Sequence, residues 1–448
     1  MTTQTIPKAP GALPVLGHVP ALLRDPLGFL DSLPDHDVVR LLMGREPALL
    51  VREPELTRQV LVSDRTFDKT ELYGKGREVM GDGLLICPHS GHRRTRRLVQ
   101  PVFHPSRLPG YAKVMTSETA AATGAWRDGQ EFDALNEMTL LTTRTLVRAM
   151  FSGTPPPGML RQTTKDTLTL AKLSGPLTVL PPALARLPLV GGRRFRQAGI
   201  RLREVTGGML RDRCGGGADP GDPLSALLAV RPSAATETED QSFTHREIID
   251  QLTAFYLAGT DTTATTLAWA LLLLAQHRDV EDRVHAEVDA VLAGAGADID
   301  HLPCLPLTAQ VIKEALHLYP PAWLVPRTAT ADTRLGSHHV PTGMTIGYSP
   351  YVIHRRSDLY EHPDRFDPDR WDHERRPQPP RHAFLPFGGG ARKCIAEDFA
   401  MTHATIALAT ITARWRLTLV PGCRIRPSMA ITLAPNGLRM QVTPRSAQ

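Results

Sequence analysis

The chain has 448 residues, of which 42% are hydrophobic and 22% charged, with a formal net charge of +6. That length holds one large domain or two to three smaller ones, and the composition is that of an ordinary soluble globular protein. A pI near 9.2 is mild for such a length; it suggests a basic face for an acidic partner and argues against a nucleic-acid binder with a basic tail.

The leader "MTTQTIPKAPGALPVLGH" has no long apolar core and does not read as a signal peptide. "LLMGREPALLVREPE" alternates as short strands broken by turns would. Helical period takes over in "GHRRTRRLVQPVF" and "AKVMTSETAAATGAWRDG". Between residues 153 and 192, prolines predict helices of limited length in an otherwise apolar stretch. "CGGGADPGDP" (214–223) and "RPSAATETEDQS" (231–242) read as polar loops.

The stretch from Thr244 to His277 predicts one long helix, apolar all round in its second half and therefore central and buried. Its apolar run, Leu267 to Ala275, is too short to span a bilayer, so no transmembrane segment is expected. "DVEDRVHAEVDAVLAG" and "LTAQVIKEALHLYP" predict two amphipathic helices, the second stopped by Pro320 and Pro321. "TIGYSPYVI" is strand-like, and Asn436-Gly437 within "ITLAPNGLRMQV" predicts a hairpin. With no repeat and no evident linker, the chain reads as a single, mostly helical domain with small β-sheets over residues 1–448.

Cysteines stand at 87, 214, 304, 394 and 423. The odd number and the lack of C-x-x-C argue against a disulfide framework or a zinc site and for a reducing, cytoplasmic compartment.

Cys394 has an unusual setting, "FLPFGGGARKCIAEDFAM". Taken alone, a free cysteine is a small core hydrophobe. Gly388, Gly389 and Gly390 permit a close main-chain approach to a flat ligand. Arg392, Lys393 and a helix beginning near Cys394 all favour thiolate over thiol. A thiolate there is a nucleophile or a metal ligand. The nucleophile needs a base that sequence alone does not locate. A phosphate loop is excluded by the spacing of "GGGARKC". A metal reading works with one protein ligand if a porphyrin supplies four nitrogens.

"FGGGARKCIA" (387–396) resembles the haem-binding loop of the cytochrome P450 superfamily, Phe-x-x-Gly-x-Arg-x-Cys-x-Gly, with Ala396 where the family has its last glycine. The resemblance implies that family's fold, with haem b between the central helix and the cysteine loop. It makes Cys394 the axial thiolate, packs Phe387 near the sulfur and pairs Arg392 with a propionate. A cysteine thiolate on haem iron favours O–O cleavage.

Other motifs agree. "AGTDTT" (258–263) interrupts an apolar helix with residues of poor helix propensity. Threonine can bond a preceding carbonyl and loosen the turn. The stretch resembles the family's oxygen-activation motif, which gives Thr262 a hydrogen bond to dioxygen and Asp261 the supply of protons. "KEALHLYP" is similar to the Glu-x-x-Arg helix but departs from it. Glu314 is present, His317 replaces the arginine, and Arg370 in "FDPDRW" is implied to complete the cluster. Three residues apart, Glu314 and His317 share a helix face, on which a hydrogen bond between them is one option. The shorter, titratable ring implies a weaker cluster than an arginine gives. His92 and Arg96 in "GHRRTRR", and Arg327 in "VPRTA", match positions that contact haem propionates.

The resemblance implies a soluble, monomeric monooxygenase. Too little sequence follows Cys394 for a flavin or iron–sulfur domain, so electrons from NAD(P)H are expected through a separate ferredoxin or flavodoxin and its reductase. A peroxide-using relative would lack the acid–alcohol pair, and a haem sensor or carrier would not need it. The resemblance places Leu84, Leu177, Phe255, Ala258, Trp323, Leu324 and Pro435 around the substrate. The stretch Leu168 to Gly192 carries only Lys172 and Arg186 as charges, and "PPAWLVP" carries none. Burying an unpaired substrate charge there would be costly. An apolar small molecule is therefore expected, with a cyclic sesquiterpene hydrocarbon first and a polyketide, steroid or fatty acyl substrate as alternatives.

Overall fold

The computed structural model describes residues 6–69, 73–151, 157–179, 191–215, 243–374, 377–380, 382–429 and 431–445. Residues 216–242, which include most of the expected polar loops 214–223 and 231–242, and the proline-rich residues 180–190 lie outside them.

A five-stranded sheet forms near the N-terminus. Strands β1 (Val38–Met43) and β2 (Glu46–Val51) make an antiparallel hairpin turned at Gly44, whose φ is +68°. Three more strands join them: β3 (Phe67–Asp68), β5 (Val325–Ala329) and β8 (Thr345–Tyr348), in the order β1-β2-β8-β5-β3, while β6 (Thr333–Leu335) and β7 (His338–Val340) pair with each other between β5 and β8 in the chain. This sheet carries Arg327 and, after β3, Lys69.

The helical body is built around the long central helix, His245–Gln276. Thr244 and Glu247 form a reciprocal capping box at its start, which satisfies orphan amides there. Residues Thr263 to Leu274 are buried without a break. The helix is long and apolar enough to cross a membrane, yet most of its apolar stretch is buried in the protein interior. It packs on the helix Ala134–Phe151, and a Cβ at Gly259 would meet Leu146 at 3.2 Å, so glycine permits the close approach. The helices Leu108–Gly124, Arg278–Leu292, Pro306–Leu318 and Glu397–Arg414 complete the main core, whose buried residues run from Leu84 to Val442.

Two elements differ from the sequence-based expectation. The helix Pro157–Val179 runs 23 residues through Pro176. That proline sits in the last turn, where few downstream turns depend on it. Asn436-Gly437 is not a hairpin turn. Strand β11 (Leu433–Asn436) pairs with β10 (Arg426–Met429), whereas β12 (Arg439–Pro444) pairs with β4 (Glu131–Asp133) and β9 (Trp415–Leu419). Gly437, at φ +79°, is the crossing point between two sheets, and a Cβ there would meet the Arg424 carbonyl oxygen at 2.6 Å.

Candidate active site

The cysteine loop lies between a 3-10 turn, Gly390–Arg392, and the helix Glu397–Arg414. The Cys394 amide donates to the Phe387 carbonyl at 2.9 Å, which closes the loop. Gly388 and Gly390 have φ of +67° and +63°. A Cβ on Gly390 would meet the Leu61 carbonyl oxygen at 2.1 Å, so this glycine seats the loop on the end of the helix Pro54–Val62. The helix after the loop begins at Glu397, three residues later than the sequence suggested.

Cys394 is exposed by accessible area. Burial nevertheless is the largest influence on its thiol and pushes it up. Together these describe a residue inside the protein's outline with one open side. The Ala396 amide, Arg96 and Lys393 favour the thiolate; Glu397 opposes it. Arg392, expected to help the sulfur, points elsewhere. Its guanidinium donates to the Cys87 carbonyl at 2.8 Å and to Asp68 at 2.9 Å, with Asp64 at 3.7 Å.

Arg392 belongs to a concentration of positive charge. Burial, then Arg392 and Arg96, push His92 down to about 4, so its ring is neutral near pH 7. Arg327 is buried and donates to the Pro326 carbonyl at 2.9 Å. Arg96 donates to the Lys393 carbonyl at 2.7 Å. Burial, Arg327 and Arg392 hold the Lys69 ammonium well below its usual range. Lys69 was not evident from sequence, because a single lysine after a two-residue strand carries no pattern. Three arginines and Lys69 thus gather where, among the described residues, Asp64 and Asp68 are the carboxylates set against them. Unbalanced buried charge is costly, and a dianionic ligand relieves it.

These features fit haem b. One open-sided thiol, a glycine loop closed beneath it and a cationic rim for two propionates are what that cofactor needs. Residues 7–442 match the family profile described as Cytochrome P450. The chain belongs to the cytochrome P450 family.

This P450 is 42% identical to cyclooctatin synthase of Streptomyces melanosporofaciens over 98% of its own length and 95% of that protein's. It is 40% identical to cyclooctat-9-en-7-ol 5-monooxygenase of the same organism, with the same coverage. It is 39% identical to pentalenene oxygenase of Streptomyces avermitilis, over 98% and 97% of the two chains. The crystal structure of the cytochrome P450DA heme domain superposes with a TM-score of 0.87, at 25% identity, over 99% of this chain and 98% of that one. The P450 is therefore a haem monooxygenase with the expected fold.

Asp261 and Thr262 lie mid-way along the central helix. The Thr262 hydroxyl donates to the Ala258 carbonyl at 2.6 Å, and Thr142 from the neighbouring helix donates to the Thr260 carbonyl at 3.0 Å. Both bonds go to carbonyls of the same turn, where they compete with the helix ladder. Asp261 is buried, and burial pushes its carboxyl up to about 6 against the Thr432 hydroxyl, which donates to it at 2.7 Å. Thr432, at the tip of the β10–β11 hairpin, carried no sequence signal.

The Glu314 cluster is built differently from a Glu-x-x-Arg template. Glu314 accepts from the Asp367 amide at 2.9 Å and the Trp371 indole at 2.7 Å, and pairs with Arg370 at 3.4 Å. Burial pushes it up to about 7. His317 contacts the Pro363 carbonyl at 2.9 Å rather than Glu314.

The expected substrate residues fall into three apolar groups. Leu84 and Phe255 share the main core, where Phe255 meets Phe103 edge-on at 5.3 Å. Leu177 packs with Tyr256, Phe195 and Leu202. Trp323 and Leu324 pack with Leu433 in a group that reaches the N-terminal helices. Ala258 is half-buried on the central helix, and Pro435 is buried opposite Pro427 in the hairpin. Phe387 is half-buried against the main core.

Proposed function

We propose that this P450 hydroxylates, or further oxidises, a cyclic terpene hydrocarbon of sesquiterpene size in secondary metabolism. The observation that carries this reading is full-length similarity, at 39–42% identity, to relatives named for pentalenene, cyclooctat-9-en-7-ol and cyclooctatin. The lack of fixed charge among Leu84, Leu177, Phe255 and Trp323, which sit in three apolar groups, is compatible with an apolar substrate, for which each buried methylene gains about 0.8 kcal/mol.

In this reading His92, Arg96, Arg327 and Arg392, with Lys69, would hold the haem propionates, and the Cys394 thiolate would hold the iron. Bound haem supplies the iron at which dioxygen is split. The Thr262 hydroxyl, which donates to the Ala258 carbonyl, would turn from it to donate a hydrogen bond on the oxygen side. Asp261, poised near pH 6, takes up protons and passes them inward. Leu84 and Phe255 exclude water.

Electrons come from NAD(P)H through a ferredoxin or flavodoxin and its reductase. A cleft of about 870 Å³ between the helix His89–Val99 and the cysteine loop is lined by Arg93, Arg97 and Arg107, by His92 and Arg96 of the propionate site, and by one carboxylate, Asp64. Its charge suits an acidic redox protein. We place the monomer, a single domain, in the cytoplasm.

The test is a spectral titration of the purified ferric protein. A cyclic sesquiterpene hydrocarbon should shift the Soret band toward high spin and be oxygenated on turnover. A shift produced only by charged or strongly polar ligands would overturn the substrate reading.

A further inference from the structure

Asp261, Thr265 and Trp269 follow each other at intervals of four on the central helix, and so share one face. All three engage the tip of the β10–β11 hairpin. The Thr432 hydroxyl donates to Asp261 Oδ2 at 2.7 Å, and the Thr265 and Thr432 hydroxyls lie 3.4 Å apart. The Trp269 indole donates to the Leu433 carbonyl at 2.7 Å. Two more bonds fix the tip from other sides. The Ile431 amide donates to Ala171 in the helix Pro157–Val179, at 3.3 Å, and the Leu433 amide to Pro321, at 3.2 Å. Thr432 and Asp261 are 2% and 6% exposed, whereas Ile431 beside them is 50% exposed. The tip therefore turns its one hydroxyl inward, onto the acid.

We propose that Thr432 is a positioning residue for proton delivery: its hydroxyl fixes the direction in which Asp261 faces and ties that acid to the hairpin bearing Pro435. The inference rests on the reading of Asp261 as proton source.

The physical argument has two parts. A buried carboxylate with a single donor takes its orientation from that donor, and a hydroxyl-to-carboxylate bond is among the stronger hydrogen bonds. The same bond favours the ionised form, against burial, which disfavours it. No other ionisable group among the described residues shifts Asp261, whether on the central helix, the hairpin or the helices packed beside them. Thr265, completely buried, can donate to Thr432 while Thr432 donates to Asp261, so the row of hydroxyls has a consistent direction.

Thr432→Val keeps the shape and removes the donor; Thr432→Ser keeps the donor and removes the methyl. Each is compared with wild type and Asp261→Asn by two measurements. The first is hydrogen peroxide released per NAD(P)H consumed as a function of pH. The second is the pH dependence of the thermal midpoint of the ferric protein, which needs no turnover. Asp261 has a folded pKa above its unfolded value. Its stabilising contribution is therefore complete in acid and is lost as pH rises through the folded pKa. Removing the donor raises that pKa further. Thr432→Val should release several-fold more peroxide and should extend the fall in thermal midpoint to higher pH, while Thr432→Ser behaves as wild type. If Thr432→Val matches wild type in both while Asp261→Asn departs, the inference fails alone. Equal impairment of Val and Ser variants also overturns it. If Asp261→Asn itself matches wild type, the proton-source reading falls and takes this inference with it.

Discussion

The His317 ring nitrogen Nε2 lies 2.9 Å from the Pro363 carbonyl oxygen, in a pocket where the ring also meets His354 at 5.5 Å and Tyr360 at 4.6 Å. Its other nitrogen, Nδ1, is buried without a hydrogen-bond partner. Burial, the neighbouring His354, and Arg370 and Arg355 hold it neutral, well below its usual range. Histidine here ties the cluster helix to the segment before Arg370 and leaves Arg370 as the ion-pair partner of Glu314.

His317→Arg tests that arrangement. A guanidinium can keep the Pro363 bond and reach Glu314, whose carboxyl burial has pushed up to about 7. The gain is opposed by Arg370 and Arg355 nearby. The balance favours a tolerated substitution that retains haem and lowers the Glu314 pKa. His317→Ala, which leaves a cavity, should cost about 2–4 kcal/mol. Urea unfolding of the holoprotein gives both values. Loss of folded holoprotein in the arginine variant would mean that the pocket is shaped for an imidazole.

Cys394→Ser tests the axial ligand. The reduced carbon monoxide complex of the wild-type protein should show the red-shifted Soret band of thiolate haem, and the serine variant should lack it. Persistence of the band would remove Cys394 from the iron.

Gly390→Ala should be far more harmful than its size suggests. Alanine at φ +63° costs about 1–2 kcal/mol for backbone strain. Its methyl would also overlap the Leu61 carbonyl oxygen, at 2.1 Å. The predicted result is loss of bound haem, read as the haem-to-protein absorbance ratio. A fully haem-loaded variant would show that the helix Pro54–Val62 yields easily.

Thr262→Ala should bind haem and hydrocarbon as wild type does and divert electrons into hydrogen peroxide, because an oxygen-side hydrogen bond is lost. Asp261→Asn should slow turnover by roughly 10²-fold, the lower end of what a positioned proton-transfer group contributes. Product yield per NAD(P)H separates the two effects. Wild-type rate and coupling in both variants would make these residues structural.

What the sequence made legible was local. The cysteine loop and the long central helix are spelled out by neighbouring residues in fixed order, since one turn or one helix face decides them, whereas Glu314 and Arg370, on different elements, are paired in the sequence only through the family resemblance. What it hid was brought together by the fold. Lys69 joins Arg327 and Arg392 only because β3 pairs with β5. Thr432 meets Asp261 only because the hairpin tip crosses the central helix. The Asn436-Gly437 pair has good hairpin chemistry, yet the Arg424 carbonyl beside Gly437 and the pairing of β12 with β4 and β9 outweigh it.

Stability should fall sharply in mild acid, and buried histidines are the reason. Burial pushes His92, His285 and His403 down to about 4 and His354 to about 3, and His317 is depressed as well. A depressed histidine binds its proton first in the unfolded chain. Its contribution is therefore intact above the unfolded pKa of about 6.5 and is lost as pH falls toward the folded value. Asp261 and Glu314, raised to about 6 and about 7, act in the opposite sense: their contributions are complete in acid and are lost as pH rises through those values. Asp31 is raised as well, and five histidines against three carboxyls leave a net loss on acidification. Each histidine contributes up to about 1.4 kcal/mol per pH unit. His403 offers the simplest check, because its Nε2 is buried without a partner. His403→Leu should reduce the steepness of the fall in unfolding free energy between about pH 6 and 4.5 by roughly one proton's worth, about 1.4 kcal/mol per pH unit at most, with little change near pH 8. An unchanged slope, measured by urea unfolding at a series of pH values, would show that His403 is already protonated in the folded protein or titrates alike in both states.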